Sequence, residues 1–246
     1  MLRRTLIAFS LLACATSQAA DYNCSVTPKD DIFMTPESVQ VIGASGDLKI
    51  TPNGEITLNG KNVAATEAQK QQAIRYQADI RQDLPWIKQE SEKKLSTSRE
   101  TIDKVVVKVV GSDSNIRNRL TKLEKDLNGQ INQIIETRPN GYVFHHKAMK
   151  TVETKGRELV NESLGGILQD SINEMGRKQL LSGGDANKAL QGMLGNLGGL
   201  QQELESEWKK QEKSFQQFGQ QVCSKVTSIE QQRVSLLNSI KSHWSI

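Results

Sequence analysis

The histidine pair His145-His146, with Met149 four residues beyond the first, is the one cluster in this chain with the makings of a metal site. On a helix His145 and Met149 would share a face one turn apart, and imidazole with thioether suits copper. Glu153 extends the same line. Ligands so few and so mixed make a poor cage, and His146 points elsewhere. The expectation is therefore two part-exposed histidines at a helix start, with no resident metal or cofactor. Asp170 and Glu174 form a second constellation, one helical turn apart, a spacing at which two carboxylates can divide acid and base work. Acids so placed are far more often a solvated helix face. Asp30-Asp31 lacks the alternating oxygens of a calcium loop and reads as a pair of turn acids. The nucleophile elbow G-x-S-x-G and the zinc motif H-E-x-x-H are both missing. No catalytic residue is assigned, and the chain reads as a binder rather than an enzyme.

Glycine is the most unusual feature. Gly165-Gly166 is followed by Gly192, Gly195, Gly198 and Gly199 in the run Ala-Leu-Gln-Gly-Met-Leu-Gly-Asn-Leu-Gly-Gly-Leu over 189–200. A glycine inside a helix costs about 1 kcal/mol, so this density calls for a reason. A buried turn between core helices is the ordinary one. Close helix packing is another, and an adaptable contact surface built on Met193, Leu194, Leu197 and Leu200 is a third.

These residues have to be positioned by something. Residues 38–63 alternate in the manner of strands: Val39-Gln40-Val41, Leu48-Lys49-Ile50 and Glu55-Ile56-Thr57-Leu58, with turns at Ala44–Asp47, Pro52-Asn53-Gly54 and Asn59-Gly60. Such a meander has one apolar face and must lay it on helices. Thr66 with Gln69 is a capping-box pattern that opens the helical part. Pro85 either kinks a long helix or begins a new one capped by Asp83. Leu84, Ile87, Ser91, Leu95, Ser98, Ile102, Val105 and Val109 then form a seam at steps of three and four, weakened in the middle by its serines. After the break Gly111–Asn115, a second seam runs Ile116, Leu120, Leu123, Leu127, Ile131 and Ile134, and Arg138-Pro139-Asn140-Gly141 ends it. A third helix is expected from Phe144 to about Leu181, with Ala148, Val152, Leu159, Ile167, Ile172 and Met175 as core candidates. A fourth runs from Leu200 to Ile240 on Leu200, Leu204, Trp208, Phe215, Phe218, Val222, Ile229, Leu236 and Ile240. Long helices of this kind are candidate coiled-coil arms, although the polar interruptions argue against a continuous zipper.

The first residues point to export. Met1–Arg4 is basic, Thr5–Ala15 apolar, and Ser17-Gln18-Ala19 has the small-x-small form of a cleavage site, so 1–19 reads as a signal peptide. Leu11-Leu12-Ala13-Cys14 resembles a lipobox, but Leu12 is atypical there and the preceding stretch is short, so Cys14 is expected to leave with the leader. The mature chain then keeps two of its 3 cysteines, Cys24 and Cys223, in an oxidising compartment. Neither belongs to a Cys-x-x-Cys pair, so a structural bridge is expected rather than redox chemistry.

Apolar residues make up 36% of the 246 and aromatics only 4%, which favours a thin, elongated core over a large α/β enzyme. The net charge of +4 falls to about +2 without Arg3 and Arg4, and acids and bases are interspersed, as in Lys122-Leu123-Glu124-Lys125-Asp126. A nucleic-acid partner would call for a one-sided basic stripe with stacking aromatics, and none is present.

Five stretches resemble the YggN family of predicted periplasmic bacterial proteins. They are Cys24–Pro28 with Asp30-Asp31, Leu84-Pro85-Trp86-Ile87, Arg119–Leu123, Gly165–Gly176, and Trp208–Lys213 continuing through Phe215–Gly219 to Val222-Cys223-Ser224. The resemblance covers nearly the whole mature chain. It implies export and supports the Cys24–Cys223 pairing, and it carries over no activity, cofactor or catalytic residue.

The sequence thus leads to a mainly α chain with a small N-terminal antiparallel β-meander: a leader over 1–19, a β-containing segment over 20–65 and an elongated helical bundle over 66–246. The expected role is a non-catalytic, chaperone-like interaction protein of the periplasm, engaging an exported or envelope protein. The alternatives are a metal-handling protein or enzyme built on His145 and Met149 or on Asp170 and Glu174, and a peripheral lipid binder using Met193 to Leu200.

Overall fold

The computed structural model describes residues 24, 26–44, 46–181 and 186–244; the side chains of 164, 168, 175, 178–181, 186–197, 200, 201, 204, 205, 208, 243 and 244 lie outside that description. The expected leader, 1–19, with Cys14, falls outside it as well. Strands β1 (Asp30–Met34), β2 (Val39–Gly43), β3 (Gly46–Ile50), β4 (Ile56–Leu58) and β5 (Lys61–Asn62) precede helices α1 (Glu67–Val109) and α2 (Ile116–Ile134). A hairpin of β6 (Ile135–Arg138) and β7 (Gly141–Phe144) follows, then α3 (Ala148–Leu181) and α4 (Ala186–Trp244). The fold is mainly α, with an antiparallel sheet near the N-terminus.

The meander forms with the expected turns. Asn59 and Gly60 take φ of 51° and 76°, the left-handed pair that an Asn-Gly hairpin supplies. Gly54, at φ 79°, turns directly above α1, and a Cβ there would come 2.9 Å from the Lys70 carbonyl. The sheet is larger than the meander, however. Its order is β5-β4-β3-β2-β1-β7-β6, seven strands in all. β1 places Ile32 opposite Val41 and Met34 opposite Val39. On its other edge Ile32 meets Phe144 and Met34 meets Tyr142. Asp30-Asp31 therefore belongs to a strand rather than a turn, and Arg138–Gly141 is a hairpin rather than a helix terminator. Gly141, at φ 153°, lies so close to the Met34 carbonyl that no side chain could replace its hydrogen.

Val39, Val41, Leu48, Ile50 and Ile56 alternate onto one face of the sheet and are buried against Ala73, Tyr76 and Ile80 of α1 and Leu236, Leu237 and Ile240 of α4. Each large aliphatic side chain in this core is worth about 1.5–3 kcal/mol. The N-terminus of α1 carries the full capping box: Gln69 N–H donates to Thr66 Oγ1 and Thr66 N–H to Gln69 Oε1. Pro85 lies inside α1, which continues past it, so Asp83 is not a cap. Instead Asp83 Oδ1 accepts from Lys225 Nζ on α4 at 2.5 Å, and that ammonium sits 4.7 Å from the Trp86 ring centroid.

α1 and α4 run antiparallel for most of their length. The Gln69 side chain donates to the Ser239 carbonyl, and further contacts join Gln72 to Ser235, Asp79 to Gln232, Lys94 to Ser214 and Lys108 to Glu203. As the partners climb α1 from 69 to 108, those on α4 descend from 239 to 203. α2 returns along α1, tied by Arg117 to Asp103 and by the buried Lys88, whose ammonium donates to Asn132 Oδ1 and the Ile135 carbonyl at 3.0 Å each. A second core of Val105, Val106, Val110, Ile116, Leu120 and Ile167 closes the far end of α1, α2 and α3.

Two helix boundaries differ from expectation. α3 begins at Ala148 because Phe144 is held in β7, and α4 begins at Ala186, so the glycine-dense stretch is helical rather than a turn. Ile172, expected in the core, is 47% exposed. The Cys24–Cys223 bridge is present, with Cα atoms 5.5 Å apart across a separation of 199 residues. It fastens the segment before β1 to α4. Among the described residues no helix is long and apolar enough to cross a membrane.

Asp30 and Arg233 are both buried, and Arg233 reaches Asp30 Oδ2 at 3.0 Å while its guanidinium also holds Glu230 at 2.5–2.9 Å. Arg233→Ala should cost about 3–5 kcal/mol in chemical denaturation, because it withdraws a partner from a buried carboxylate. Free-thiol titration of the unreduced chain from residue 20 onward should find no reactive thiol. Reducing the bridge should lower stability by at most about 5 kcal/mol, the chain-entropy ceiling for a loop of this size.

Candidate functional site

The histidines do not share a helical face with Met149, because both precede α3 and stand on the short connector from β7. His146 is fixed twice to Asp31 of β1: its backbone N–H donates to Oδ1 at 2.9 Å and its Nδ1 lies 2.6 Å from the same oxygen. His145 Nε2 lies 3.1 Å from Glu136 Oε2 on β6, and its backbone N–H donates to the Ile134 carbonyl. Each imidazole thus serves a different carboxylate on a different strand. Among the described residues no group of three or more His, Cys, Asp or Glu side chains could hold a metal ion.

The carboxylates register this pairing. Burial pushes the Asp31 carboxyl up, but the bonds from the His146 ring and backbone, with the nearby imidazole charges, outweigh it and leave the group below its ordinary range. Hydrogen bonds from Arg138 and His145 pull Glu136 down to about 2.

Asp170 and Glu174 are likewise already engaged. Arg119 Nε and a terminal guanidinium nitrogen donate to Asp170 Oδ2 at 3.0 and 2.9 Å. The guanidinium lies against Gly166 on the way, where a Cβ would collide with it. Glu174 Oε1 accepts from the Asn115 N–H at 2.7 Å and so caps the start of α2, whose Ile116 N–H donates to Ser114 Oγ. The two acids hold α3 to α2 in different places and do not converge on a common point. An open polar groove is lined by Arg99, Ser112, Asp113, Ser114, Arg117, Asn118 and Thr121. Arg117 in it is bound bidentately by Asp103 at 2.8 and 3.0 Å.

What remains is a surface rather than a pocket. Past Lys108–Glu203, the last contact between α1 and α4 among the described residues, α4 continues to Ala186, about 25 Å of helix. Past Glu174, α3 continues to Leu181. The ends of α3 and α4 therefore project beyond the turn between α1 and α2. Met193, Leu194, Leu197 and Leu200 lie on this projecting part of α4; their side chains are outside the described residues. Gly165, Gly176, Gly198 and Gly199 have open space where a Cβ would stand, so close packing within this chain does not account for them. Ile172 and Val107, exposed by 47% and 36%, flank the root of the projection.

A family model described as protein of unknown function (DUF2884) matches residues 24–244. The chain belongs to that family. Among its relatives, the "Uncharacterized protein YggN" of Escherichia coli strain K12 is 48% identical over 241 residues, 98% of this chain and 100% of the relative. Proteins of the same name from the O6:H1 and O157:H7 strains match to the same extent. No solved structure matches. In this DUF2884 chain the matched span runs from Cys24 past Cys223, so it encloses the bridge, the sheet and both projecting helices.

Sequence reasoning passed over Arg119, Glu136 and Asp31 as partners. Asp31 was visible, but its role depends on a strand whose apolar residues Ile32, Phe33 and Met34 are consecutive rather than alternating. The lowered carboxyls of Asp31 and Glu136 add stability that is present above their ordinary values of 3.8 and 4.5 and is lost as pH falls through their folded values. Carboxyl NMR should find both titrating low, and His146→Ala should return Asp31 towards its ordinary range while leaving Glu136 in place. Titration with Cu²⁺ or Zn²⁺ should give no stoichiometric complex that His145→Ala abolishes.

Proposed function

We propose that this protein is a non-catalytic, chaperone-like binding factor of the periplasm, and that the projecting ends of α3 and α4 are its contact surface for an exported or envelope protein. The observation that carries the reading is the set of open glycines on these helices. Helical glycine is unfavourable by about 1 kcal/mol per residue, and at Gly176, Gly198 and Gly199 nothing in the chain itself approaches closely enough to require it. A partner that packs against the helix backbone would supply the missing reason. Exposed Ile172 adds apolar area beside it. The histidines and the paired acids, by contrast, are committed to strands and helix ends, which speaks for binding over chemistry. The leader-like first residues and the Cys24–Cys223 bridge support a periplasmic location.

Leu194→Asp tests the surface. In cells treated with a crosslinker, the variant should lose most of its crosslinked partner while its melting temperature stays nearly unchanged, since surface substitutions usually fall within about 0.5 kcal/mol. A large fall in melting temperature would mean that Leu194 is buried packing, because a charge placed in a core costs several times that.

A further inference from the structure

The helix pair at the centre of the molecule is unevenly held. One core gathers the sheet around Ala73, Tyr76 and Ile80 of α1 and Leu236, Leu237 and Ile240 of α4. The other gathers Val105, Val106 and Val110 of α1 with residues of α2 and α3, and among the described residues takes no member from α4. Between Leu84 and Val105 on α1, and before Leu236 on α4, no described apolar side chain is buried. Polar contacts cross the seam in that interval. Lys94 Nζ donates to Ser214 Oγ at 2.6 Å, Ser98 Oγ to Gln211 Oε1 at 3.3 Å, and Gln211 Nε2 to Thr101 Oγ1 at 3.3 Å. The apolar residues beside these bonds, Ile87, Leu95, Ile102, Phe215 and Phe218, are only half-buried. Hydrogen bonds that water can reach exchange for water at little net cost, whereas a closed apolar core does not.

The sheet-side end of this interval is pinned. On the sheet side, Lys225 binds Asp83 and lies over Trp86, and the Cys24–Cys223 bridge fastens α4 covalently. We propose that α4 from about Ser206 to Val222 is a strap, a segment that peels from α1 and recloses while both cores stay folded. Peeling breaks the Lys94, Ser98 and Thr101 contacts, parts the Trp86 and Phe218 rings, which stand 5.9 Å apart, and uncovers Leu95 and Ile102 on α1 and Phe215 on α4. Because the bridge lies at the edge of the strap nearer the sheet, opening leaves it intact. The device stands apart from the partner surface at the helix tips, and each can fail without the other.

Hydrogen exchange read by mass spectrometry on the oxidised mature chain tests it. Peptides covering 206–222 should exchange at least about tenfold faster than peptides covering 229–240, and faster than those covering 105–110, with and without prior reduction of the bridge. Ser98→Leu with Gln211→Leu makes the seam apolar and should slow exchange at 206–222 by about tenfold while leaving 229–240 unchanged. Ser98→Cys with Gln211→Cys, oxidised across the seam, should give the same slowing if the leucine pair fails to fold. Equal protection at 206–222 and 229–240 in the unmodified chain overturns the proposal. So does fast exchange at 206–222 that persists across the covalent crosslink.

Discussion

A sheet with one apolar face has to be covered, and in this chain its cover comes from opposite ends of the sequence. Val39, Leu48 and Ile50 lie against Ala73, Tyr76 and Ile80 from the start of α1 and against Leu236 and Ile240 from the end of α4. That burial forces the last helix to return to the first. Everything between them must then be accommodated as an out-and-back path, and so α1 and α4 run antiparallel with α2 and α3 folded alongside. The Cys24–Cys223 bridge and the Asp30–Arg233 pair secure the same closure, one covalently and the other by a buried ion pair. The ion pair adds little to stability when intact and much to the penalty for error, because either charge left behind would be buried.

The residues that first suggest chemistry become, in the folded chain, fasteners between elements. Asp31 with His146 and Glu136 with His145 pin the connector before α3 to two strands. Asp170 with Arg119 and Glu174 with the Asn115 N–H hold α3 to the start of α2. Each pair is local and reciprocal, and the pairs do not share a cavity. Charged and imidazole groups are the cheapest means of joining elements where little apolar surface is available, which fits a chain with 4% aromatics and a thin core.

Stability is accordingly concentrated at two places. The sheet end and the α1–α2–α3 turn each have an apolar cluster, while the long stretch between them is held by half-buried side chains and polar contacts. The serines at 91 and 98 that thin the apolar seam are the sequence's own record of this. A helix pair about 60 Å long has more interface than such a composition can fill with core residues, which is the physical ground for the proposed strap.

The sequence by itself determined the elements whose signals are local. The Thr66–Gln69 capping box, the Asn59-Gly60 turn, the break at Gly111–Asn115 and the seams of three and four all depend on residues within a few positions of one another, and the structure has them where they were expected. The helical state of Val105-Val106-Val107 could likewise be read from the period around it. Tertiary structure decided whatever depends on distant pairing. β1 and the β6–β7 hairpin are strands because they complete one another's edges across more than 100 residues of chain, and neither carries enough alternating apolar residues to declare itself alone. The start of α3 moved to Ala148 because Phe144 was claimed by that sheet. The glycines of 192–199 read as a break on local propensity alone, yet they lie within a helix that is held by its packing further along, as long helices generally are. Which acid meets which base was never legible, since Asp31 and His146 stand 115 residues apart and only the folded sheet brings them within 2.6 Å.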